Sequence, residues 1–121
     1  MSLTGPVKAR LPSSLPWPND PRAATAAERL LADPSEPIEL APLARASGAS
    51  ARTLQRLFLD ETGFGFSEWR QRLRLLHGAT LLGAGASVTE AGLQAGYAST
   101  SAFIAAFREQ LGRTPARMRS P

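Results

Sequence analysis

The sequence predicts an all-α protein in which two helix-turn-helix subdomains flank one long central helix, and two observations lead there. Residues 66–82 carry two apolar faces at the helical period. Phe66, Trp69, Leu73, Leu76 and Thr80 line one stripe, and Leu75, Ala79 and Leu82 form a second towards the C-terminal end. A surface helix has one apolar stripe, so two faces predict a connector packed by a small subdomain on each side. The second observation is that the flanking segments, residues 48–63 and 96–112, read as copies of one unit.

In chain order, residues 1–19 read as a disordered leader or linker, because Pro6, Pro12, Pro16 and Pro18 remove backbone donors and the apolar residues show no sustained period. Trp17 stands apart: a large aromatic in a linker is expected to dock, most simply on the first helix. Asp20 followed by Pro21 is a helix start, a side-chain acceptor at the N-cap and proline at the first helical position. That helix runs to Ala32 with Ala23, Ala27, Leu30 and Leu31 as its inward face, before Pro34 and Pro37 break it.

The remaining domain, residues 20–121, contains the repeated units. The first helix-turn-helix spans residues 39–63. Its short first helix turns Leu40, Leu43 and Ala44 to one side and ends at Gly48. Ser50 caps the next helix, whose inward residues are Leu54, Leu57 and Phe58, and Gly63 closes it. The connector, residues 66–82, is followed by a glycine-rich turn. The second helix-turn-helix spans residues 87–112 and opens on a capping box, Ser87-Val88-Thr89-Glu90. Its first helix runs to Ala95, Gly96 turns the chain, Ser99 caps again, and Phe103, Phe107 and Leu111 face inward before Gly112. The copies align as Gly48 with Gly96, Ser50 with Ser99, Leu54 with Phe103, Phe58 with Phe107 and Gly63 with Gly112, with one extra residue in the second turn. The register continues from Phe66, Trp69 and Arg70 to Pro115, Met118 and Arg119.

Composition narrows the function. The 121 residues make one domain, or two small lobes sharing the connector. There is no cysteine and a single histidine, His77, which excludes a disulfide scaffold, a thiolate metal site and a cysteine nucleophile, and leaves no triad. No catalytic constellation, cofactor motif or metal-ligand cluster is present, so no enzyme activity and no cofactor are expected. No apolar run is long enough to cross a bilayer and no signal pattern opens the chain, so no membrane partner and a cytoplasmic location are expected. The net charge is +4, and 13 of the 14 basic residues are arginine. Arginine grips phosphates and guanine edges in a bidentate way that lysine cannot, although a GC-rich genome would also favour it.

In a helix-turn-helix the second helix enters the DNA major groove and its N-terminal exposed positions touch base edges. In the first copy those positions are Arg52, Gln55 and Arg56, a set able to read guanine and adenine through paired hydrogen bonds. In the second copy they are Ser101, Ile104 and Ala105, of which Ser101 alone is a candidate base contact. Ser50, Ser99 and Thr100, at helix N-termini, and Arg108 are candidate phosphate contacts. The pair is therefore expected to be unequal: one helix reads sequence and the other positions the protein and senses shape. Arg70, Arg72, Arg74, Arg113, Arg117 and Arg119 are phosphate contacts or solvated charges, some of them pairing with Glu68, Glu109 or Asp60.

The runs Ser50-Ala51-Arg52-Thr53-Leu54-Gln55-Arg56-Leu57-Phe58, Glu61-Thr62-Gly63 and Gly96-Tyr97-Ala98-Ser99-Thr100-Ser101-Ala102-Phe103, followed by Phe107, Gly112 and Thr114-Pro115, carry a resemblance. Over roughly residues 21–119 the chain resembles the C-terminal DNA-binding domain of AraC/XylS-type transcription regulators. The resemblance implies about seven helices, double-stranded DNA as partner, and activation through contact with RNA polymerase. It also implies an effector-binding domain that these residues do not contain, hence an excised fragment, although stand-alone members exist. Three departures from the family pattern matter. Ala91-Gly92 replaces a bulky aliphatic and alanine, and a mid-helix glycine costs about 1 kcal/mol relative to alanine, which predicts a softer second unit. Met118 stands where tyrosine is common, and Ala105 replaces an arginine that some relatives use on bases. The rivals are a helical protein-interaction module and a nonspecific basic DNA-binding domain. Alkyl-accepting DNA repair proteins share a related module but need a cysteine, which is absent here.

Overall fold

Four helices begin where a side-chain oxygen takes an otherwise unpaired amide. Asp20 accepts from the Arg22 amide, Ser50 from Thr53, Ser87 from Glu90 and Ser99 from Ala102. At Ser87 the Glu90 carboxylate also reaches back to the cap amide, completing the box. The computed structural model describes residues 15–118 and contains, among them, seven helices and no strand: α1 (Pro21–Ala32), α2 (Leu40–Ala46), α3 (Ala51–Thr62), α4 (Phe66–Gly83), α5 (Val88–Gln94), α6 (Thr100–Leu111) and α7 (Pro115–Met118). The first 14 leader residues and Arg119 lie outside the described part. No helix among the described residues is long and apolar enough to cross a membrane.

The two copies share their backbone punctuation. Gly48 and Gly96 turn α2 into α3 and α5 into α6 at φ of 85° and 98°, and Gly63 and Gly112 close α3 and α6 in the left-handed conformation. The turn bonds match as well: Ala49 donates to the Ala44 carbonyl at 2.9 Å, and Tyr97 to that of Gly92 at 3.0 Å. The second turn takes its extra residue, Ala98, after this point.

Helix α4 serves two cores. Its Phe66, Trp69 and Leu73 join a cluster with α1, α2 and α3, while Leu75 and Leu82 join Ala91, Phe103 and Phe107 in a second. The faces exchange between residues 73 and 75. Leu76 is therefore half-buried in neither cluster, and Thr80 is exposed, its hydroxyl donating to the Leu76 carbonyl at 3.0 Å. The expected first stripe was too long because period alone does not mark where a helix changes partners. On α1, Leu31 is 54% exposed and Ala26 is buried instead.

Residues 15–19 are not helical, but they are packed. Trp17 lies edge-on to Trp69 of α4, with ring centroids 5.5 Å apart, and Trp69 Nε1 donates to the Pro16 carbonyl at 2.7 Å. The expected partner, α1, is not the one found. Glu61, at the end of α3, accepts from the amides of Asn19 and Asp20 at 2.7 and 2.9 Å and so ties the start of α1 to the first unit.

Gly92 has a reason that local propensity did not reveal. A Cβ placed there would lie 2.9–3.0 Å from Cδ2, Cβ and Cγ of Phe103. Ala44 and Leu54 hold the equivalent places in the first unit. The larger Phe103 in the second is accommodated by the smaller Gly92, so packing selects the glycine despite its helix propensity.

Candidate nucleic-acid interface

Burial of Leu54 and Phe58 fixes the rotation of α3, and the 3.6-residue period then turns Arg52, Gln55 and Arg56 outward, where all three are exposed. No described residue pairs with either arginine. Ser50, at the same end, is exposed. Its hydroxyl already accepts from the Thr53 amide at 3.1 Å and bonds Thr53 Oγ1 at 3.0 Å.

The same construction on α6 yields a different face. With Phe103 and Phe107 buried, Ser101 and Ala105 are exposed and Ile104 is half-buried. Ser99 caps the helix and is exposed, while Thr100 is half-buried. Arg108 is exposed and has no partner among the described residues. It lies about 12 Å along the axis from Thr100, so it and the first turn of α6 would meet different parts of a duplex. The anticipated residues thus fall into two groups at the N-terminal ends of α3 and α6, with Arg108 apart.

Three arginines leave the candidate set. Arg70 Nη1 donates to the Ile38 carbonyl at 2.6 Å and its Nη2 to the Glu36 carbonyl. Arg74 Nε donates to the Pro34 carbonyl at 2.9 Å and its Nη2 to that of Glu36 at 3.1 Å. Arg72 stacks over the Phe64 ring, its guanidinium carbon 4.4 Å from the centroid, and pairs with Glu68 at 3.3 Å. For Arg70 and Arg74 the reading as phosphate contacts or solvated charges is corrected for a physical reason, while Arg72 makes the Glu68 pair expected of some of these arginines. The loop between α1 and α2 presents carbonyls with no backbone donor, and guanidinium groups supply the bonds. Burial, and then the neighbouring Arg74, lower the pKa of Arg70 from its ordinary value. Arg22 and Arg29 are likewise engaged, with Asp20 and Glu36 at 3.0 and 2.7 Å.

Tyr97 follows the second turn, and the sequence marked it only as part of the family motif. Its ring lies 5.4 Å from that of Phe103, its hydroxyl is buried without a hydrogen-bond partner among the described residues, and burial pushes its pKa up to about 12. Among the described residues no cluster of histidine and carboxylate side chains could hold a metal ion.

Comparison with known proteins agrees with this geometry. Residues 43–120 match a helix-turn-helix domain family. The HTH-type transcriptional regulator RipA of Corynebacterium glutamicum is 40% identical over 100 residues, which cover 83% of this chain and 30% of RipA, so the chain spans about a third of that relative's length. A transcriptional regulator from Chromobacterium violaceum, described as an AraC-type DNA-binding domain-containing protein, superposes with a TM-score of 0.77 at 30% identity, covering 82% of this chain and 89% of that one. The DNA-binding domain of the global transcriptional factor AdpA, solved in complex with a target DNA, superposes with a TM-score of 0.73 at 32% identity and the same coverages. The two capped repeats on one shared helix, the family match and these superpositions agree, and the chain belongs to the AraC-type helix-turn-helix family of DNA-binding transcription regulators.

Proposed function

We propose that this domain binds double-stranded DNA sequence-specifically in the cytoplasm as part of a transcription regulator, with α3 and α6 in successive major-groove segments and α3 doing most of the base reading. The observation that carries this is the contrast between the two outer faces. Arg52, Gln55 and Arg56 stand exposed, the two arginines with no side-chain partner among the described residues, where α6 presents Ser101, Ile104 and Ala105. Arginine and glutamine pair with guanine and adenine edges, and on α6 Ser101 is left as the one polar group of the three. Ser50, Ser99, Thr100 and Arg108 contact phosphates in this reading, helped at the helix N-termini by free amides. The 18 residues of α4 span about 27 Å, in range for successive groove turns about 34 Å apart once the offsets of the recognition helices are added. Family membership supports an activator that contacts RNA polymerase.

The test is selection of binding sites from a random duplex pool at physiological salt. The expected result is a two-part motif with one sharp and one loose half. Arg52→Ala or Arg56→Ala should then lose about 1–3 kcal/mol of discrimination in the sharp half. Equal weakening on all sequences would refute the base-reading assignment. Salt-sensitive binding with no motif would indicate a nonspecific basic domain, and no DNA binding would leave a protein-interaction module.

A further inference from the structure

Among the described residues, every extensive helix–helix contact lies inside one unit or on α4, with α7 packing on α4 and α6. Two lobes joined by one helix can rock about its axis unless a second, off-axis contact ties them. The loop formed by residues 33–38, which belongs to the first unit, is such a contact. Pro34 and Pro37 keep it from continuing either helix, and Asp33 folds it locally by accepting from the Ser35 hydroxyl at 2.7 Å. Arg70 and Arg74, one helical turn apart on α4, clamp its carbonyls at Pro34, Glu36 and Ile38. Two like charges are held together there because each finds carbonyl acceptors.

The outer side of this strap meets the second unit. A Cβ at Gly96 would lie 3.0 Å from Ser35 Cα and 3.0 Å from Arg74 Nε. The turn that aims α6 is therefore seated directly on a strap that belongs to the lobe carrying α3. Arg74 touches both.

We propose that Arg74 is a positioning residue that, through the strap and the Gly96 turn, holds α6 in one pose relative to α3, and so determines the spacing between the two halves of the DNA site. This rests on the two-groove reading above. Without the clamp each half should still bind its own segment, but the protein should tolerate altered separations.

The experiment compares wild type, Arg74→Ala and Arg74→Lys on the duplex motif selected by wild type, on versions with one base pair inserted or removed between the halves, and on each half alone. Wild type should lose about tenfold or more in affinity per altered base pair, the scale of one mismatch. Arg74→Ala should reduce that penalty below about threefold while its affinity for either half and its salt dependence stay unchanged, and Arg74→Lys, which keeps a donor, should recover part of the penalty. Loss of a direct phosphate contact would instead weaken all duplexes and reduce the salt slope by about one. That result overturns the proposal, as does an unchanged spacing penalty or a loss of helix content in Arg74→Ala. A second readout needs no DNA. The chain has no cysteine, so spin labels at Asp60→Cys and Glu109→Cys, exposed equivalent positions on α3 and α6, report the inter-helix distance. Arg74→Ala should broaden that distribution, and an unchanged width refutes the positioning role. If no motif is selected by wild type, the two-groove reading fails while the distance measurement still decides whether the clamp holds the lobes.

Discussion

Gly78, in the interior of α4, allows a quantitative test of how tightly the second core is packed. A Cβ at this position would lie 2.7 Å from Cε1 and 2.9 Å from Cζ of Phe103, distances that real side chains do not tolerate. The ring cannot swing aside, because it is fully buried and lies edge-on to Phe107 at 5.5 Å and beside Tyr97 at 5.4 Å. Gly78→Ala gains about 1 kcal/mol of helix propensity and loses about 1–3 kcal/mol to overpacking, so the net effect is about 0–2 kcal/mol of destabilisation. Phe103→Leu removes the two clashing atoms and, through the void and the lost ring contacts, destabilises by about 2 kcal/mol. In the double variant the new methyl fills the space those atoms vacate, and the combination should be more stable than the sum by at least about 1 kcal/mol. Urea unfolding followed by circular dichroism measures all four corners of the cycle. Gly83→Ala, on the same helix, where an added Cβ would meet no described residue outside the local helix backbone within 4 Å, is the control and should be neutral or slightly stabilising. Additivity within about 0.5 kcal/mol, or a Gly78→Ala chain more stable than wild type, would refute the packing argument.

Tyr97 is the only tyrosine, so ultraviolet titration reads it alone: its midpoint should lie near 12 rather than the ordinary 10, and a midpoint near 10 would mean the hydroxyl reaches solvent. Glu36, whose carboxyl is held below its ordinary 4.5 by the hydrogen bond from Arg29, contributes stability above that value that is lost as pH falls through its lower folded pKa. Melting temperature should therefore drop on acidification below about 4.5, and Glu36→Gln should flatten that part of the profile. Glu61→Ala leaves the amides of Asn19 and Asp20 without their acceptor and should destabilise the domain by about 1 kcal/mol, read by thermal melting. No change in melting temperature would show that water replaces the carboxylate without loss.

What could be read in the sequence was whatever is encoded within a few neighbouring residues. Asp20-Pro21, the Ser87 box, Ser50, Ser99 and the paired glycines each declare a helix end locally, so the element order and the repeat were legible from them. Residues whose role depends on a distant partner were not. Arg70 and Arg74 look like any exposed arginine until the carbonyls of residues 34–38 are brought beside them. Trp17 announced that it docks, but its partner was Trp69, 52 positions away, and not the neighbouring α1. Burying Ala26 in place of Leu31, at the opposite edge of the face, needs only a small rotation of α1, which an alanine-rich face with little size contrast does not specify. Gly92 shows the limit most directly, since its propensity argued for weakness while its contact with Phe103 argues for fit.

The two units show which parts of a duplicated module are held and which diverge. The caps Ser50 and Ser99 and the turn glycines are the same in both, because a helix that starts or ends elsewhere would rotate every residue on it, whereas the first helices differ, Ser87 capping α5 and Glu39 making no side-chain cap bond on α2. Inside, Ala44 with Leu54 became Gly92 with Phe103, a paired exchange of volume that preserves a filled core. Outside, Arg52, Gln55 and Arg56 stand exposed where the repeat has Ser101, half-buried Ile104 and Ala105, and no described residue pairs with the two arginines. Divergence confined to the outer face changes what a helix can hydrogen-bond without changing where it is held. Under the proposed reading, one scaffold thereby carries one helix equipped for bases and another equipped for little beyond the backbone, and the strap that ties the second to the first then matters more, because α6 would have few base contacts of its own with which to find its register.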